Sequence, residues 1–145
     1  MSTTHKWTAQ SAQTTVLSTD LNSLSNAAYS AASSALDNTS NLHQWAAAEL
    51  VLASLTPTGS PYIAVYLLPT QSSVYPDGGG STAPSAENLW CVFQLSTSTS
   101  AKNRVIMGLP IPPANMKFVL YNGAGLALAS SGNTLKITTY TEQDA

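Results

Sequence analysis

From Gly108 to Tyr140 the chain reads GLPIPPANMKFVLYNGAGLALASSGNTLKITTY, and almost every hydrophobic residue in it falls at a spacing that a β-sheet can use. Pro110, Pro112 and Pro113 have no backbone N–H to give a ladder, so they predict an edge strand or a crossing between sheets. In the strand that follows, Phe118 and Leu120 face one side while Val119 and Tyr121 face the other. Asn122-Gly123 is the strongest short hairpin signal in the chain. After it, Leu126 and Leu128 predict a short strand, Ser131-Gly132-Asn133 a turn, and Leu135 with Ile137 a closing strand. A period of two sustained across so many turns predicts the C-terminal half of an antiparallel sandwich.

The upstream sequence has the same character. Tyr62–Pro69 (YIAVYLLP) is the strongest strand signal, with Ile63, Val65 and Leu67 on one face and Tyr62, Ala64, Tyr66 and Leu68 on the other. Apolar residues on both faces place it in the middle of a sheet covered on both sides, with a neighbouring subunit a candidate cover for the tyrosine face. Gln44–Leu52 and Leu89–Leu95 are further strands. A polar connection at Ser96–Asn103 leads into a return strand from Arg104. Thr14 to Asn38 is ambiguous: it reads as two strands, near 14–18 and 28–36, or as one short helix over 21–35, because alanine favours a helix while the serines weaken it. Asp37–Asn41 and Thr56–Pro61 are turns. Gln71–Asn88 is a long turn-rich loop, of the kind that is commonly functional or mobile. Short strands divided by Pro, Gly and Ser turns predict an all-β fold of about eight strands, an antiparallel β-sandwich or a jelly roll. The 145 residues suit one domain. The reading is a flexible N-terminal arm over residues 1–12 and a single sandwich over 13–145.

Charge narrows the partners. Charged residues are 8% of the chain, against roughly 25% in an average soluble domain, and 20 serines with 17 threonines fill the gap. So few charges remove the usual defence against association, which points to a protein packed against copies of itself or a scaffold. The net charge is −2 and the five cations are scattered, so no nucleic-acid partner is expected. No apolar run reaches the length of a membrane helix and no membrane partner is expected. The opening residues lack a signal peptide's apolar core, so assembly in a cytoplasm is expected. Cys91 stands alone, a small buried hydrophobe rather than a reactive thiol.

Candidate chemistry is sparse. His5 and His43 are the only histidines, and neither forms a zinc-type His pair. Asp77-Gly78-Gly79-Gly80 lacks the oxygen ligands of a calcium loop and the lysine of a phosphate cradle. Glu49, Asp77 and Glu87 are the interior carboxylates, and Glu49 reads as an outward or intersubunit contact. The expectation is no enzyme, no catalytic residue, no metal and no cofactor. Trp7, Trp45, Tyr75 and Asp77 are the candidate partner contacts. Trp7 either anchors the arm on a neighbour or caps its own sandwich. A sugar platform would need several exposed aromatics from among Trp45, Tyr75, Trp90 and Tyr121, and only Tyr75 sits in a loop.

Pro110-Ile111-Pro112-Pro113, Met116-Lys117-Phe118-Val119-Leu120-Tyr121-Asn122 and the segment from Gly125 to Leu135 resemble small virion structural proteins of tailed bacteriophages. Ala48-Glu49-Leu50, Tyr66-Leu67-Leu68-Pro69 and Tyr75-Pro76-Asp77 are similar to the same group, so the likeness spans about residues 28–141. It implies a non-catalytic jelly-roll sandwich on a phage particle. The implied post is a capsid decoration or cement protein on the virion surface, bound to the major capsid protein as a closed oligomer, a homotrimer. A tail or neck component is the alternative.

Overall fold

In the computed structural model, which describes residues 4–144, ten strands build two packed four-stranded sheets and one two-stranded ribbon. The strands are β1 (His5–Trp7), β2 (Thr14–Leu17), β3 (Leu36–Asp37), β4 (Trp45–Leu55), β5 (Tyr62–Pro69), β6 (Leu89–Gln94), β7 (Ser100–Pro110), β8 (Asn115–Gly123), β9 (Thr134–Tyr140) and β10 (Glu142–Asp144). One sheet has the order β2-β9-β4-β7, the other β3-β8-β5-β6, and β1 pairs with β10. The antiparallel pairs β5–β6, β4–β7, β3–β8, β2–β9 and β1–β10 nest one inside the next. Such a chain is one long hairpin, with its tip between β5 and β6, rolled so that β4 also meets β9 and β5 also meets β8. This nesting is that of a jelly-roll sandwich, within the all-β antiparallel class that the turn spacing predicts.

The core lies between the sheets. Ala46, Ala48, Leu50 and Leu52 of β4, with Leu135 and Ile137 of β9, face Ile63, Val65 and Leu67 of β5 and Phe118 and Leu120 of β8. The alternation read from the sequence for β5 and β8 is the one that fills this layer. On the opposite face Ala64, Leu68 and Val119 are buried too, while Tyr62, Tyr66 and Tyr121 are partly exposed. The open side of the sandwich is laced between β6 and β7: Trp90 Nε1 donates to the Pro110 carbonyl at 2.8 Å, and Arg104 Nε to that of Gln94 at 3.1 Å. Gly108 sits at φ +71 where three residues of β7 span two of β4. That geometry is a bulge that glycine enters without strain.

Several expectations change. The strand expected over 28–36 is a strand only at Leu36–Asp37, and no helix covers 21–35; a 3-10 turn at Thr19–Leu21 stands nearby. Residues 27–36 instead advance three residues for every two of β8. The amides of Ala27, Ser30 and Ser33 donate to the carbonyls of Asn122, Leu120 and Phe118 in turn. A regular strand would offer its own carbonyls to β8. Here the buried Ser30 and Ser33 hydroxyls take that place, accepting from the Leu120 amide at 3.0 Å and the Phe118 amide at 2.9 Å.

The hairpin expected at Asn122-Gly123 is not there, because β8 runs through both residues, and Leu126 and Leu128 form no strand. Asn122 is fully buried; its side-chain amide donates to the carbonyls of Leu24, Ser25 and Leu126, and its Oδ1 accepts from Ala124 N–H. A side chain that satisfies four backbone groups holds an irregular crossing that no ladder could.

The long loop is docked as well. Gly80 N–H donates to the Ser30 carbonyl at 2.8 Å, and a Cβ on Gly79 would stand 2.8 Å from the Ala32 nitrogen. Of the arm expected over residues 1–12, residues 1–3 lie outside the described part of the chain. Residues 5–7 pair in β1, Thr8 N–H donates to the Thr141 carbonyl and Ser11 N–H to that of Thr139, so this part of the arm runs along β9 and β10.

Candidate functional site

Two aromatic surfaces stand out. The first lies where the β1–β10 ribbon leaves the β2-β9-β4-β7 sheet. Trp45 and Tyr140 are register partners on the outer face. Trp7 covers them edge-on, with ring centroids 6.4 Å from Trp45 and 5.4 Å from Tyr140. Of the two roles open to Trp7, the structure shows the cap on its own sandwich, yet 55% of the residue still faces solvent. Beside it opens a cleft of about 500 Å³ bounded by Trp7, Thr8, Gln10, Met107, Gly108 and Tyr140. The Tyr140 hydroxyl accepts from Gly108 N–H at 2.8 Å, which ties the ring to the bulge. Trp45 Nε1 is buried with no hydrogen-bond partner among the described residues. Exposed Val105 and Met107 continue this apolar strip along β7. Next to it Glu49 points outward, as the sequence reading has it, with Lys136 Nζ 3.9 Å away.

The second surface is a tyrosine group on the outer face of the β3-β8-β5-β6 sheet. Tyr29 lies 4.9 Å from Tyr121 and 6.1 Å from Tyr66, and Tyr62 stacks on Tyr121 at 5.9 Å. Burial, then the neighbouring phenols, pushes the Tyr66 and Tyr121 hydroxyls above the ordinary tyrosine range, so they stay neutral donors. The sequence reading puts Tyr62, Tyr66 and Tyr121 on the non-core faces of their strands but does not join them. The register Ala64↔Tyr121 brings them together, and Tyr29 arrives with the three-residue stepping of its segment.

The other sequence candidates stay apart. Tyr75 is held by Lys117, whose Nζ is 4.5 Å from the ring centroid, and Asp77 is exposed in the loop. His43 Nδ1 bonds Thr139 Oγ1 at 2.6 Å, and Thr139 Oγ1 in turn lies 3.0 Å from Ser11 Oγ. That chain staples the arm to β9. The histidine that does meet a carboxylate is His5, 2.8 Å from Asp144 on the exposed ribbon. Among the described residues no three His, Cys, Asp or Glu gather as a metal site, and no helix is long and apolar enough to cross a membrane. Cys91 is buried, and burial pushes its thiol up to about 12. Lys102 is buried, and among the described residues no carboxylate pairs with it; its ammonium donates to the Ser98 carbonyl and to the hydroxyls of Ser98 and Ser100, which clips the β6–β7 turn.

No family model matches the chain, and no curated protein matches it. Among solved structures it is similar to an arabinose-bound α-L-arabinofuranosidase at 13% identity and a TM-score of 0.35. The match covers 95% of this chain but only 23% of that one, a likeness too distant to carry a conclusion about fold or chemistry.

Proposed function

We propose that the chain is a non-enzymatic structural subunit of a tailed-phage particle, a capsid decoration or cement protein. In this reading it is assembled in the host cytoplasm, binds the major capsid protein on the virion surface and self-associates as a closed homotrimer. The observation that carries the reading is the solvent-facing apolar strip formed by Trp7 of the ribbon with Val105 and Met107 of β7, on a weakly charged sandwich. Exposed apolar surface of that kind marks an interaction site. Repetition over a symmetric shell turns many modest contacts into tight attachment. The resemblance of residues 28–141 to virion structural proteins adds the setting. Cryo-EM of the source particle tests it. Density for this chain over the capsid surface is the expected result, and density confined to the tail or neck, or none, overturns it.

The tyrosine group favours a second reading, a carbohydrate-binding module on the virion surface, because half-exposed phenols offer both ring faces and hydroxyls to a sugar. A glycan array decides it: binding that is lost in a Tyr62→Ala/Tyr121→Ala variant supports the module, and an array without hits removes it.

A further inference from the structure

The β1–β10 ribbon is a tongue built from the two ends of the chain. It contains two strands only, all six of its residues are exposed, and among the described residues neither outer edge has a strand partner. Isolated two-stranded ribbons are marginally stable in water, and an open edge is a template for another strand. Each strand also carries charge of one kind. β1 has His5 and Lys6 and no acid; β10 has Glu142 and Asp144 and no base. Within one copy this polarity zips the ribbon, as the His5–Asp144 contact at 2.8 Å shows. It also leaves a basic strand along one free edge and an acidic strand along the other.

We propose that the tongue is a self-association element, in which the free edge of β1 in one copy adds to the free edge of β10 in the next. The occupant of each edge is a second copy of this chain. The contact is head-to-tail, because the basic edge of one copy meets the acidic edge of its neighbour while two like edges repel. A head-to-tail contact closes into a ring when its rotation allows, and a ring of tongues leaves no edge open. Closure also places a neighbouring tongue beside the 55%-exposed Trp7 at the root. The inference supplies a contact for the closed oligomer proposed above and rests on that part of the reading only. A chain that assembles through its tongue in solution yet is absent from the capsid supports this contact and sinks the cement reading.

The experiment is light scattering and native mass spectrometry on the purified full chain, together with a charge-swapped chain carrying His5→Asp, Lys6→Glu, Glu142→Lys and Asp144→Lys. The swap keeps the attraction within each tongue and reverses both edges. Each chain alone is expected to form the same closed oligomer, and an equal mixture, denatured and refolded together, is expected to give at least tenfold fewer mixed oligomers than random exchange. A monomeric wild-type chain, or free mixing of the two, overturns the proposal. Should the swapped chain fail to fold, a salt series on the wild-type oligomer decides, because exposed charges are screened. Dissociation between about 0.05 and about 0.5 M salt supports the tongue, and an oligomer indifferent to salt overturns it.

Discussion

Asn122 holds four backbone groups at the exit of β8 with one side chain. Asn122→Ala therefore strips the Ser25 and Leu126 carbonyls and the Ala124 amide of their partner and leaves the Leu24 carbonyl with the Leu128 amide alone, and a loss of about 2–4 kcal/mol is expected. Urea denaturation measures it, and a change below about 1 kcal/mol would contradict the bonding described. Cys91 makes a separate prediction at the same scale. Its thiol is raised from 9.0 to about 12 by burial, so the unfolded chain ionises first as pH rises. The stabilisation is whole below pH 9.0 and is lost progressively toward about 12, by up to about 1.4 kcal/mol per pH unit. The upward-shifted Tyr66 and Tyr121 hydroxyls act with the same sign at higher pH. Stability against pH should thus slope less steeply in Cys91→Ala than in the wild type between pH 9 and 10, whatever its absolute value; parallel slopes would refute the burial argument.

The edge segment before β3 belongs to the scale of elements. The Ala28 carbonyl still accepts from the Asn122 amide, but at Leu120 and Phe118 serine hydroxyls stand in for strand carbonyls, so Ser30→Ala and Ser33→Ala each leave a buried β8 amide without that acceptor. Each should cost about 1–3 kcal/mol. Hydrogen exchange gives the more specific readout: protection at the Leu120 amide should fall in Ser30→Ala and at the Phe118 amide in Ser33→Ala. Unchanged protection at those amides would sink the substitution account. Gly79→Ala should pry the loop from the same edge, since its methyl would press on the Ala32 backbone at a φ of +104. The expected cost is about 1–3 kcal/mol.

At the scale of the molecule, nesting makes the outermost pairs the most distant in sequence: His5 meets Asp144. Closing such pairs is entropically slow, so refolding is expected in roughly milliseconds to seconds. Stopped-flow tryptophan fluorescence checks this, and full recovery within microseconds would contradict it. The same nesting makes the outermost layer dispensable. A chain lacking residues 1–12 forfeits the tongue and the Ser11–Thr139–His43 staple but keeps both four-stranded sheets. Its far-UV circular dichroism should remain that of a β protein while its melting temperature falls by several degrees.

Period-two patterning in Tyr62–Pro69 and Met116–Tyr121, bounded by prolines and glycines, was enough to determine an all-β sandwich and which side chains fill its core. Those signals are local, and a strand's two faces are written into alternate residues. Tertiary structure alone decided the rest. Asn122-Gly123 carries a hairpin signature, but the carbonyls of Leu24, Ser25 and Leu126 converge on Asn122 and keep it buried in β8. Ala27–Leu36 satisfies neither a helical nor a strand period, because its spacing answers to β8, some ninety residues away. The tyrosine surface and the Trp7–Trp45–Tyr140 cluster are products of cross-strand register, which sets residues of distant segments side by side. The tongue is of the same kind. Its two strands are too short and polar to announce themselves, and only the rolled hairpin brings the basic strand near one end of the chain against the acidic strand near the other.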